Sequence, residues 1–156
     1  MQNERETMQQ LSARVEYALL AVMDLARHAS KENPAQVGRV AARTGAPEKY
    51  LVQLLQHLRK ALIVHSKRGR AGGYYLRRPP RQISVAQVID AIAPRESLFP
   101  DSDTEATPAR KAVRSLWRRL DEQRKAELAR VSIDALLTQA DGGASEPGAE
   151  KRQRAE

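Results

Sequence analysis

Lys67-Arg68-Gly69-Arg70-Ala71-Gly72-Gly73-Tyr74-Tyr75-Leu76-Arg77-Arg78 reads as a glycine-built turn between two short strands, carrying five cations and no acid. Ile63-Val64-His65-Ser66 opens the first strand and Tyr74-Tyr75-Leu76 forms the second. Arg70 to Gly73 make the turn, with Gly72 and Gly73 able to supply positive φ. Just upstream, Leu51, Leu54, Leu55, Leu58 and Leu62 give the apolar stripe of a helix from about Pro47 to Ala61. Thr44-Gly45-Ala46-Pro47 is a turn: Gly45 suits a left-handed position past a helix end, and Pro47 suits a first helical turn. Before it, Val37 to Arg43 form a short helix with Val37, Val40 and Ala41 inward. Two helices about a short Gly-containing turn, followed by a hairpin, make a winged helix-turn-helix.

Further upstream, Ser12 is a plausible N-cap for a helix running to about Ala29. Val15, Leu19, Val22, Met23 and Ala26 give its helical spacing, and Tyr17, Ala18 and Leu25 widen the stripe. Lys31-Glu32-Asn33-Pro34 ends it as a loop. Downstream, Pro79-Pro80 stop the second strand, and Ser84 caps a helix with Val85, Val88, Ile89 and Ile92 on its apolar face. A long helix from about Ala109 to Leu128 carries a stripe of Val113, Leu116, Trp117 and Leu120, which must be buried on its own domain or on a second copy. Ser132 caps a last short helix with Ile133, Leu136 and Leu137. The expected organisation is mainly α: a disordered extension over 1–10, a winged helix-turn-helix domain over 11–93, and a linker over 94–108. A dimerisation helix and short terminal helix follow over 109–140, then a disordered tail over 141–156.

Charge is unevenly spread. Leu11 to Arg95 hold 15 basic and 5 acidic residues, whereas Glu96 to Glu156 hold 11 and 12. The positive charge therefore belongs to the first unit, as expected of a polyanion binder, although an Arg-rich surface with no such role has the same composition. The absence of cysteine excludes disulfides, thiolate metal sites and cysteine-ligated clusters. No apolar run approaches the roughly 18 residues of a membrane span, and residues 1–10 lack an apolar leader core, so a cytoplasmic protein with no membrane partner is expected. His28, His57 and His65 have no metal-ligand spacing, and Asp101, Asp103 and Glu105 read as a solvated loop. No nucleophile–base pair is visible, so no enzyme, no metal and no cofactor is expected.

The amino end of the second helix-turn-helix segment would present Pro47, Glu48, Lys49, Tyr50, Val52 and Gln53 to a major groove. Gln53 can pair with adenine, Lys49 with guanine or a phosphate, and Val52 can touch a thymine methyl. The wing adds Lys67, Arg68 and Arg70 at its tip and Arg77 and Arg78 beyond, arginine being favoured in narrow minor grooves. Arg59 and Arg14 complete the DNA-facing set. A solvated helix face is the bland alternative for the helix.

These residues together resemble the Rrf-two family of bacterial winged helix-turn-helix transcription regulators, of the IscR, NsrR and CymR type. The matching segments are Tyr17-Ala18-Leu19 with Leu25-Ala26, Lys49-Tyr50-Leu51, and Leu58-Arg59-Lys60-Ala61. Arg68-Gly69, Gly72-Gly73-Tyr74, Val88-Ile89, Leu116-Trp117 and Val131 to Leu136 continue the likeness, which covers about residues 11–140. The resemblance implies a homodimer on a palindromic operator, with Arg68 as the minor-groove arginine and Tyr50 and Gln53 at DNA-contacting positions. The chain departs from the family at three places. No cysteine lies between Pro94 and Arg114, where many members hold an iron–sulfur cluster and where Lys111 and Arg114 stand instead. Val52 replaces a frequent Glu, and Arg70-Ala71 replaces Pro-Gly or Gly-Gly in the wing. The expectation is a cluster-free homodimeric regulator, more a repressor than an activator. The alternatives are a winged module docking a partner protein, and a regulator with a small-molecule effector pocket near the dimer helices.

Overall fold

The computed structural model describes residues 2–92 and 107–143. Helix α1 (Gln2–His28) is followed by α2 (Val37–Thr44), α3 (Glu48–Lys60), β1 (Val64–Lys67) and β2 (Gly73–Leu76). A single 3₁₀ turn (Pro80–Gln82), α4 (Val85–Ile92), α5 (Pro108–Arg130) and α6 (Ile133–Gly143) complete it. It is a mainly helical winged helix-turn-helix, with β1 and β2 paired antiparallel from Val64 opposite Leu76 to Lys67 opposite Gly73.

The core forms where the apolar stripes of α1, α3 and α4 meet. Ala18, Ala21, Val22 and Leu25 of α1 are buried with Leu51, Leu54, Leu55 and Leu58 of α3 and with Val88 and Ile92 of α4. Each buried leucine adds roughly 1.5–3 kcal/mol over its exposed state. The α1 stripe is rotated from its expected centre: Val15, Leu19, Met23 and Ala26 lie at the edge of the core. The helix is contacted by α2, α3 and α4, and Ala18 and Ala21 allow that close approach where larger side chains would not.

Several boundaries differ from expectation. Helix α1 begins at Gln2 rather than Ser12; residues 2–10 contain neither Gly nor Pro to stop it. Pro47 is the N-cap of α3 rather than a residue of its first turn, with φ −59° and ψ 128°. Leu62 leaves the α3 stripe: it has φ 59° and is 54% exposed. Ile63 takes its place in the core, because Ile63 N–H donates to the Leu58 carbonyl at 2.9 Å and Leu62 N–H to that of Arg59 at 3.0 Å, closing α3 in a Schellman turn. Lastly, α6 runs to Gly143, past the expected start of the tail at Asp141. The greater part of the expected linker and tail lies outside the described residues.

The terminal helix is joined to the winged domain. Ile133 is fully buried in the common core, and Leu136 and Leu137 pack against it. Ser84 and Ser132 form an antiparallel bridge, with Val85 N–H donating to the Val131 carbonyl at 2.9 Å and Ile133 N–H to that of Ile83 at 2.8 Å. Arg27 pairs with Asp141, tying the end of α1 to α6.

Candidate nucleic-acid interface

Gly45 ends α2 in the left-handed conformation, φ 72°, and its N–H donates to Ala41 at 2.9 Å. That turn sets α3 across α2, leaving Pro47, Lys49 and Gln53 exposed and Val52 half-buried. Lys49 and Gln53 are four residues apart and share one helix face. His57 continues that face one turn further. Its Nδ1 lies 2.7 Å from the Gln53 carbonyl, which can only accept, so Nδ1 carries the hydrogen. Tyr50 is half-buried, and its ring meets Tyr17 edge to face at 6.0 Å and 82°. Its orientation is therefore set by α1. Arg14, one turn before Tyr17, is half-buried, and its Nε is enclosed without a hydrogen-bond partner among the described residues.

The wing is built by close backbone approach. A Cβ on Gly72 would stand 2.3 Å from the Lys67 carbonyl oxygen, and one on Gly73 would stand 2.4 Å from that of Ala35. Positive φ falls on Gly69, at 105°, and Gly73, at 157°; Gly72 is needed for space rather than for φ. Tyr74 exchanges two backbone hydrogen bonds with Ala35, at 2.9 and 2.8 Å, and Gln36 Nε2 donates to the Arg70 carbonyl at 3.3 Å. The hairpin is thus pinned to the segment before α2.

Lys67, Arg68 and Arg70 are exposed together at the tip. Arg77 and Arg78 follow Leu76 at the opposite end of the hairpin, about 10 Å away at the usual rise per residue. Arg59 Nη1 donates to Ser66 Oγ at 3.2 Å, so this cation also braces α3 against the wing. One residue near the surface, Gln36, was not singled out in the sequence. It precedes α2 without capping it by its side chain, leaving the amino end of that helix open. It shows no periodic signal, because it acts through the turn before α2. The Glu48 carboxylate lies beside Gly38, its Oε2 3.7 Å from where a Cβ there would be. Nor is the wing region free of acid: Glu32 has its carboxyl held below the usual range by its own backbone N–H, then by Ser30, with smaller attractions from Lys31 and Lys67.

Helix α5 has no buried residue. Val113, Leu116, Trp117 and Leu120 are exposed by 43–50% each. An apolar stripe of this kind is normally covered in a functioning assembly. Among the described residues no group of three or more His, Asp or Glu side chains is placed to hold a metal, and no helix is long and apolar enough to cross a membrane.

Residues 11–139 match the family model Rrf2, described as an iron-dependent transcriptional regulator. The chain is 34% identical over 137 residues to the transcriptional regulator IscR of Xenorhabdus nematophila, covering 81% of this chain and 78% of that one. An rrf2-like HTH-type regulator of Rhodobacter capsulatus is 37% identical over 84 residues, and the match spans 53% of this chain and 56% of that relative. The structure of T. potens IscR superposes with a TM-score of 0.68 at 30% identity, covering 86% of this chain and 90% of that one. CymR of B. subtilis gives 0.65 at 28% identity, covering 81% and 94%.

Proposed function

Because the chain belongs to the Rrf2 family of transcriptional regulators, we propose that it is a homodimeric, sequence-specific reader of a palindromic operator and acts as a repressor. What supports this reading is the exposure of Lys49 and Gln53 on α3 and of the Lys67–Arg70 tip, on elements braced through Arg59, Tyr17 and Ala35. The amino end of α3 enters the major groove, and Arg68 enters the adjacent minor groove. Arg14, Arg59, Lys67 and Arg70 meet phosphates, Arg77 and Arg78 reach the backbone further along, and Pro47, Tyr50 and Val52 line the groove contact. The α5 stripe pairs two copies, which places the half-sites about one helical turn, roughly 34–36 Å, or a multiple of it apart. A dimer held there obstructs transcription, and this is the basis for repression rather than activation. The protein would work in the cytoplasm.

The family description carries iron dependence, and the donor chemistry of this chain does not fit an iron–sulfur cluster. The sequence has no cysteine thiolate, and the described histidines and carboxylates are not gathered into a ligand set. The regulator is therefore proposed to read its operator without one.

Selection of bound sequences from a random duplex pool, using the purified metal-free protein, tests the proposal. Enrichment of a two-fold symmetric site is expected. Sequence-blind retention that vanishes with salt would count against it.

A further inference from the structure

An open groove of about 540 Å³ lies where the 3₁₀ turn and α4 meet the end of α5 and the start of α6. Its polar lining includes Arg81, Ser84, Gln87, Asp90, Arg130 and Ser132. We propose that this groove binds a small zwitterionic metabolite of the α-amino acid class and that the bound molecule is an effector of DNA binding.

The chemistry of the lining selects that class. Arg81 and Asp90 make no hydrogen bond or ion pair with any described residue, so a guanidinium and a carboxylate without a partner among the described residues share the groove. Among the described residues Arg130 pairs with Glu127 alone, at 3.2 Å and with both side chains more than 70% exposed, a contact weak enough to give way to a ligand. The two hydroxyls are already used as acceptors. Ser84 Oγ accepts from Gln87 N–H at 3.3 Å, and Ser132 Oγ accepts from Ala135 N–H at 3.1 Å. Each therefore keeps its own O–H to donate. Gln87 is held in turn, its Oε1 accepting from Ser84 N–H at 3.1 Å. A carboxylate is met by two guanidinium groups and two hydroxyl donors, and an ammonium by Asp90. An apolar ligand finds little here to bury against.

Location gives the site its role, which rests on the regulator reading above. Arg81 and Asp90 belong to the winged domain, while Arg130 stands at the end of the exposed helix α5. The backbone bridge Ser84–Ser132 joins these two parts beside the groove. A ligand held by Arg81 and Arg130 together fixes the direction in which α5 leaves the winged domain, and so the spacing of two wings in a dimer.

The test uses the full chain and the common L-α-amino acids, with malate and inorganic phosphate as anions that lack the ammonium group. At least one amino acid is expected to raise the melting temperature and give a calorimetric isotherm. Arg81→Gln and Asp90→Asn should each weaken binding about tenfold or more, and both residues are exposed, so both variants should fold. No response to any amino acid at about 10 mM, binding that survives both substitutions, or equal binding of malate or phosphate would each overturn the assignment. On a selected operator, the saturating ligand should change affinity by about fivefold or more. Binding with unchanged operator affinity would reject the effector role. Failure of the ligand-free protein to select any operator would instead undermine the regulator reading and leave the binding measurements standing.

Discussion

Leu62 has φ 59°, a conformation that costs a residue with a Cβ roughly 1–2 kcal/mol. The Schellman turn that closes α3 demands it, and glycine is the usual occupant. Leu62→Gly removes the strain but also the apolar contact of a half-exposed side chain, so the two effects nearly offset. We expect a change between zero and about 1 kcal/mol of added stability by urea denaturation. Leu62→Val should instead destabilise by about 1 kcal/mol or more, because β-branching is least tolerated there. At the wing, Arg68→Ala should weaken operator binding by about 1–3 kcal/mol and relax selectivity at the minor-groove positions. Fluorescence anisotropy on matched and altered duplexes would show this, and unchanged binding would remove Arg68 from the interface.

Between elements, the Asp24–Arg43 pair holds α1 to α2. Arg43 Nε and Nη2 donate to the two Asp24 oxygens at 2.6 and 2.8 Å, and the Asp24 side chain is only 6% exposed. The bond to Asp24 raises the Arg43 pKa above its ordinary value, so the guanidinium keeps its charge in the pair. Arg43→Ala leaves a buried carboxylate without its guanidinium. A wholly buried pair would lose about 3–5 kcal/mol, but Arg43 keeps some access to water, and a loss of about 2 kcal/mol in thermal or urea unfolding is expected. The wing has a different weak point. Gly72→Ala would drive a Cβ into the Lys67 carbonyl, so the hairpin must open. DNA affinity should fall with little loss of helix by circular dichroism; full affinity in that variant would show the tip is not needed.

For the molecule as a whole, the question is what covers α5. If its stripe pairs two copies, Trp117→Ala should shift the protein from dimer toward monomer by light scattering. An unchanged mass would reject the pairing. Operator affinity should fall in parallel, because two half-sites are read together only while the dimer holds. Rising salt should weaken binding steeply in the wild type, since several guanidinium and ammonium groups release counterions from the duplex.

Much of this architecture was legible from local rules. The α3 stripe of Leu51, Leu54, Leu55 and Leu58, the Gly45 turn, the wing and the Ser132 cap each follow from spacing and residue type alone, because 3.6-residue periodicity and turn chemistry act over a few residues. The exposed positions Lys49, Gln53, Lys67, Arg68 and Arg70 were equally readable, as was the apolar stripe of α5. Other features needed the chain to be brought together. Ala35 holds the wing through Tyr74, Arg59 reaches Ser66, Tyr50 leans on Tyr17, and Arg77 and Arg78 are set at the far end from the tip. Ile133 enters the core, and the Arg81–Arg130 groove forms from segments far apart in sequence. Local propensity determined which elements exist; backbone pairing and packing between distant segments, which leave no periodic trace in a sequence, decided how they share one surface.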